Sequence, residues 1–121
     1  MHIAHVITKL DVGGAQTHVV ELALGQVSAG HRVDVVTGLD GPAARRLAAS
    51  GVPVTVVPEL AAAHGRVSQR AALRAVTSAL AGVRPDLVHG HSSNGGLAAR
   101  LAARRLRRPS VYTAHGWPFQ R

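Results

Sequence analysis

Two hydrophobic spacings trade places along this chain. His2 to Ile7 is a short run of β-branched and small apolar residues, as a strand is, and it leads through Leu10 into Asp11-Val12-Gly13-Gly14-Ala15-Gln16. Beyond the glycines the spacing turns helical. Ala15, Val19, Leu22, Ala23 and Val27 fall on one face, and Gly30 stands where helices commonly stop, which predicts a helix over residues 15–29. Strand character returns at Arg32 to Thr37, followed by the turn Gly38-Leu39-Asp40-Gly41-Pro42 and a short helix from Ala43 to Ala49 that Gly51 closes. Pro53 to Val57 reads as a third strand. An alanine-rich loop precedes a helix over residues 67–82, with Ala71, Ala72, Ala75, Val76 and Leu80 on its apolar face. After Arg84-Pro85, Asp86 to His91 predicts a fourth strand, short and ending in polar residues. Ser92 or Ser93 is placed to cap a helix that runs to Leu106, with Leu97, Leu101 and Ala102 inward. Pro109 ends it, and Ser110 to Ala114 is a fifth strand.

Strands that alternate with helices form a parallel sheet covered on both faces, and right-handed crossovers select the order 3-2-1-4-5. The predicted class is therefore α/β, a Rossmann-like doubly wound parallel sheet. In that order the topology reverses between strands 1 and 4, so a crevice opens at their carboxyl ends. Gly13, Gly14 and the segment His89 to Asn94 line it, and His115 lies one strand further along the same rim. The last strand is followed only by a loop from His115 to Arg121 that carries Trp117 and Phe119, which predicts a truncated domain.

Composition narrows the chemistry. The 121 residues suit one domain, and 46% apolar content is enough for a core. Zero cysteines exclude disulfides, thiolate zinc sites and cysteine nucleophiles. No apolar run approaches the ~18 residues of a membrane span and no signal peptide is recognisable, so the expected location is cytoplasmic. The net charge of +8 is unevenly placed: residues 61–121 hold ten arginines against the single acid Asp86. Such a balance suits an anionic partner. Arg66, Arg70 and Arg74 form an i, i+4 row, which is either a solvated helix face or a contact for an anionic membrane at the inner face. Nucleic acid fits poorly, because three aromatic side chains provide no stacking platform.

The glycine turn is the strongest chemical signal of the first half. Glycines between a strand and a helix let the backbone approach an anion closely at the positive end of the helix dipole. The turn is neither Gly-x-Gly-x-x-Gly nor a P-loop, since Gly13-Gly14-Ala15-Gln16-Thr17-His18 fits neither pattern. Asp40, at the end of strand 2, leaves a variant dinucleotide site open, and a turn that merely reverses the chain is the plainer alternative. His89 and His91 alternate along a strand and share a face, so with His115 they could offer three nitrogens to zinc. Asp11 is the sole carboxylate near that rim, which favours hydrogen-bonded histidines at strand ends instead. No Gly-x-Ser-x-Gly elbow is present.

Taken together, four segments carry a resemblance. His5-Val6-Ile7-Thr8 with Gly13-Gly14-Ala15-Gln16-Thr17-His18-Val19, Ala29-Gly30-His31-Arg32-Val33, Asp86-Leu87-Val88-His89-Gly90-His91-Ser92 and Tyr112-Thr113-Ala114-His115-Gly116 occur in the order and spacing of the N-terminal domain of family 4 glycosyltransferases. The resemblance covers essentially all 121 residues. It implies a GT-B architecture of two facing Rossmann-like domains, of which this chain is the acceptor-side half, residues 1–121, without the C-terminal donor domain. It implies a hexosyltransferase-type enzyme that transfers a sugar from a nucleotide-sugar donor to a sugar, lipid-linked or small-molecule acceptor, in polysaccharide or glycolipid synthesis. Retention of configuration, no cofactor and no bound metal follow from the same resemblance. It places Gly13 and Gly14 against the donor diphosphate, His115 as the catalytic residue at the donor sugar, and Asp11, Gln16, His18 and His91 on the acceptor side. The missing donor domain means that this polypeptide alone should be inactive. A dinucleotide-binding oxidoreductase domain and a noncatalytic anion- or membrane-binding module are the alternatives.

Overall fold

The structure, a computed structural model, describes residues 1–10, 14–62 and 65–114. Its elements are strand β1 (His2–Ile7), helix α1 (Gly14–Ser28), β2 (Arg32–Thr37), α2 (Pro42–Ala49), β3 (Val54–Val56), α3 (Pro58–Ala61), α4 (Gly65–Val83), β4 (Leu87–His91), α5 (Ser93–Leu106) and β5 (Ser110–Thr113). The five strands form one parallel sheet in the order β3-β2-β1-β4-β5, as the sequence predicts. One helix was not anticipated. Within the alanine-rich segment read as a loop, Pro58 at the first helical position and Glu59 in the first turn start the four-residue α3.

Alternation along the strands sorts the side chains into two layers. On one face Ile7, Val33 and Val35 pack with Val19, Val20 and Ala23 of α1 and Leu47 of α2. On the other, Ala4, Val6, Val36 and Val88 pack with Leu60 of α3, Ala72, Val76 and Leu80 of α4, and Ala98, Ala99, Ala102 and Ala103 of α5. Both faces of the central strands are therefore dry, as a doubly wound sheet requires.

Helix α5 departs from the expected packing. Leu97 and Leu101 were read as inward, yet they are 40% and 39% exposed, and alanines take their place against the sheet. The reason is distance. Gly90 of β4 lies so close to α5 that a Cβ on it would stand 2.8 Å from Ala99 Cβ and 2.9 Å from Gly96 Cα. The Tyr112 ring of β5 likewise lies over Gly96, and a Cβ on Gly95 would stand 3.0 Å from the Thr8 backbone nitrogen. A helix seated this tightly can present only small residues to the sheet, so its leucines are displaced toward α4. Ala71 of α4, also read as inward, is exposed because Ala72 and Val76 already face the sheet.

The amino ends of the strands are held by hydrogen bonds to two carboxylates. His2 Nε2 and Asp34 Oδ2 lie 2.6 Å apart with both side chains largely buried, and the Asp86 carboxylate accepts the His2 backbone N–H at 2.8 Å. These acids are spent on structure at the end of the sheet opposite the crevice.

Replacing Gly90 by alanine should therefore destabilise the domain by about 1 to 3 kcal/mol, the usual range for overpacking. Urea unfolding reports it, and an unchanged midpoint would contradict the close seating of α5.

Candidate functional site

The crevice forms where β1 and β4 end side by side. Their register pairs His5 with His89 and Ile7 with His91, so the loops after them emerge together. Helix α1 begins at Gly14, directing the positive end of its dipole to this rim. Gln16 on its first turn donates from Nε2 to the Lys9 carbonyl at 3.0 Å, which ties the helix to the end of the β1 loop. The Leu10 N–H donates to the Leu39 carbonyl at 2.7 Å and the Gly38 N–H to the Thr8 carbonyl at 2.9 Å, holding the loops after β1 and β2 together.

Ser92 joins β4 to α5 with φ 63° and ψ 176°, a conformation that essentially only glycine adopts without strain. It stands at the cap position predicted for it but caps nothing with its side chain. Its hydroxyl instead donates to the His91 carbonyl at 2.5 Å and lies 3.0 Å from Thr8 Oγ1, which accepts the Gly95 N–H at 3.0 Å. The chain Gly95, Thr8, Ser92, His91 thus stitches the end of β1 to the start of α5, and it holds the strained residue in place.

Below the rim lies a histidine cluster. His5 and His91 are fully buried, and His89 is half-buried. His5 Nε2 is 2.7 Å from Gln26 Oε1 and so carries the proton, which leaves His5 Nδ1 to accept from His91 Nε2 at 2.9 Å. The His89 and His91 rings stack at 4.1 Å between centroids, and His89 Nε2 is 2.6 Å from Thr113 Oγ1. His18 of α1 approaches edge-on, 6.3 Å from the His91 ring. Burial holds the His5 pKa below 6.5, and the His18 charge pushes the same way, against the Gln26 hydrogen bond.

A second feature lies on the opposite face of the sheet. Leu60, Ala72, Leu73, Leu97, Ala98 and Leu101 line a groove of about 210 Å³ between α4 and α5, with Arg70 and Asn94 also in its wall.

Residues 13–121 match the glycosyl transferase 4-like domain family. The chain belongs to that family. No curated protein matches it. Among solved structures, the calicheamicin glycosyltransferase CalG4 is 26% identical with a TM-score of 0.67, over 98% of this chain and 31% of its own. Anabaena HepE, solved in complex with UDP-glucose, has a TM-score of 0.71 at 21% identity, over 93% of this chain and 28% of its own. The Streptomyces sp. SF2575 glycosyltransferase SsfS6, complexed with thymidine diphosphate, has a TM-score of 0.61 at 16% identity, over 94% of this chain and 38% of its own. This chain therefore spans about a third of the length of these proteins.

The glycosyl transferase 4-like domain places Gly14, Gln16 and His18 on the first turns of α1, above His91 at the end of β4. His18 is exposed there, whereas His91 is buried beneath it. Asp11, Gly13 and His115 lie outside the described residues. Arg70 and Arg74 are exposed on α4, and the Arg66 side chain lies outside what is described. Asp40 is exposed beyond β2. Sequence reasoning overlooked His5, Gln26 and Thr8. His5 and Thr8 stand in the first strand segment, and the register of β1 against β4 is the signal that pairs them with His89 and Ser92. Gln26 had no comparable signal.

His5 gives a pH dependence of definite sign. Its folded pKa is lowered, so the unfolded chain binds more protons below about pH 6.5, and stability present above that value is lost as pH falls. The slope approaches at most about 1.4 kcal/mol per pH unit for one proton. Urea midpoints between pH 7.5 and 5.5 should fall, and the His5→Gln variant should fall less steeply. Equal slopes would contradict a neutral buried His5.

Proposed function

We propose that this domain is the acceptor-side half of a two-domain GT-B glycosyltransferase, a hexosyltransferase that transfers a sugar from a nucleotide-sugar donor with retention of configuration and without bound metal. The observation that carries this reading is helix α1, which starts at Gly14 on the reversal point of the sheet in a chain that matches the family over residues 13–121. A nucleoside diphosphate leaving group gains most from donors fixed in advance, and a helix N-terminus opening on glycines is one such source. The UDP-glucose and thymidine diphosphate complexes of similar structures support a donor of that kind. One helix terminus supplies only part of the stabilisation, so the remaining donors belong to a facing domain, and the domain alone is inactive in this reading.

In the same reading Gly13 and Gly14 flank the donor diphosphate, and His115 orients the donor sugar. Asp11, Gln16 and His18 serve the acceptor, and His91, expected on that side, is fully buried and supports them from below. His18 is the exposed member of that set among the described residues. The buried cluster of His5, His89 and His91 then acts as a rigid floor beneath His18, in which Gln26 fixes the tautomer of His5 and, through it, the His91 contact.

Arg66, Arg70 and Arg74 extend the proposal to a peripheral site on an anionic membrane, which suits a lipid-linked acceptor in glycolipid or polysaccharide synthesis. The apolar groove with Arg70 in its wall, and Val67 of the same helix at 84% exposure, support that surface. No helix among the described residues is long and apolar enough to cross a membrane.

The main experiment uses an enzyme in which this domain is joined to its donor domain. Gly14→Val should weaken nucleotide-sugar binding by at least about tenfold with little loss of fold, since a branched Cβ blocks the diphosphate's approach. His115→Ala should lower turnover by about a hundredfold or more and leave nucleotide affinity nearly intact. Unchanged donor affinity in the first variant removes the diphosphate assignment, and near-native turnover in the second removes the His115 role. Turnover should also survive a chelator.

The membrane surface has its own test. The domain should sediment with anionic vesicles and release as salt rises, and it should not sediment with neutral ones. Retention unaffected by replacing all three arginines would remove this part of the proposal.

A further inference from the structure

The geometry points to a transition-metal site formed by His5, His89 and His91, in addition to the transfer reaction and not used by it. One ring nitrogen of each histidine lies within 4.8 Å of those of the other two. The parallel pairing of β1 with β4 produces this without any loop: His5 stands directly across from His89, and His91 follows two residues on, on the same face. The third ligand is therefore His5 of the neighbouring strand, where the sequence alone had suggested His115.

The donor set decides the class of ion. Three imidazoles with no thiolate and no carboxylate in the cluster suit zinc, nickel or copper and not magnesium or calcium. The outer contacts match what such ligands usually have. His5 gives its Nε2 proton to Gln26 Oε1, and His89 Nε2 is held by Thr113 Oγ1, so each of these two rings is oriented through one nitrogen. His91 Nε2 already faces His5 Nδ1 at 2.9 Å. Two nitrogens bound at about 2.0 to 2.1 Å on a tetrahedral ion stand about 3.3 Å apart, so this pair must open by a few tenths of an ångström. Ligation through His91 Nε2 displaces the proton on that nitrogen, and zinc binding tightens as pH rises because the rings ligate in their neutral form.

The stacked His89 ring must tilt to turn its nitrogen to the same point, and as the half-buried member it has the room. An ion there would clamp β1 to β4 directly beneath the crevice, so its occupation should be read in stability.

The test uses the 121-residue chain freed of metal with a chelator and dialysed. Zinc chloride titrated by calorimetry should bind saturably at one equivalent, raise the melting temperature, and be replaced by cobalt with a visible d–d spectrum of nitrogen coordination. Magnesium and calcium should do neither. Because His5→Gln disturbs the buried core as well, the decisive variant is His89→Ala, with native circular dichroism confirmed first. It should weaken zinc binding by at least about tenfold, and Gln26→Leu, which touches no metal, should weaken it about 10- to 100-fold. His31→Gln, beside the terminal amine and far from the cluster in the sheet, should change nothing. The inference is overturned by absence of saturable binding at millimolar zinc, or by unchanged zinc affinity and melting shift in His89→Ala. Because the readout is binding and not turnover, it succeeds or fails apart from the proposed transfer reaction.

Discussion

The parallel contact between β1 and β4 is the constraint on which the rest of this domain depends. Right-handed crossovers send the chain outward from β1 in one direction through β2 and β3, and then back across to the other side. Only β1 and β4 are therefore neighbours whose following loops run to opposite faces, and only there does the sheet leave an opening at its carboxyl end. Helix α1 and helix α5 both begin at that opening. Everything offered to a ligand at this end, the dipole of α1, Gln16, His18 and the strained Ser92, is placed there by topology before any side-chain contact is made.

Two local devices keep the opening in register. On one face, glycines and alanines allow α5 to sit against β4 at a distance no larger residue tolerates, and the hydroxyls of Thr8 and Ser92 lock the strand ends together. On the other, a buried polar cluster replaces the usual apolar packing. Polar groups in that layer are tolerable because each is paired, and among the described residues no buried side-chain nitrogen or oxygen lacks a partner. The displaced leucines of α5 meet those of α4 and form the apolar groove on the outer surface. The same close packing that secures the crevice thus shapes the surface where a membrane contact is proposed.

The sheet order was legible in the sequence because apolar spacing and glycine punctuation agree at nearly every element, and a parallel α/β chain has few permitted topologies. The start of α1 at the glycines and the small polar cluster after β4 were legible for the same reason. Leu97 and Leu101 misled because periodicity identifies an apolar stripe but not which edge of it meets the sheet, and here Gly90 and Gly96 set a spacing that favours alanine. α3 was missed because a four-residue helix leaves no period to detect. His5 was hidden in a run that reads only as strand, since its histidine partners, His89 and His91, are 84 and 86 positions away and become visible through register alone. Ser92 carries the residue type of a helix cap, and nothing in the sequence reveals that its hydroxyl is engaged behind the helix and not in front of it.

The central claim is that the carboxyl end of β1 and β4 is the nucleotide-sugar end of the molecule. Amide chemical shifts of the isotope-labelled 121-residue chain, followed by NMR as a nucleoside diphosphate is added, test it most directly. The account predicts saturable shifts grouped at Gly14 to His18 and Ser92 to Gly95, with the amino ends of the strands and the α4–α5 groove unmoved. Shifts confined to the groove or to the amino ends, or none at Gly14 to His18 at saturation, would contradict it.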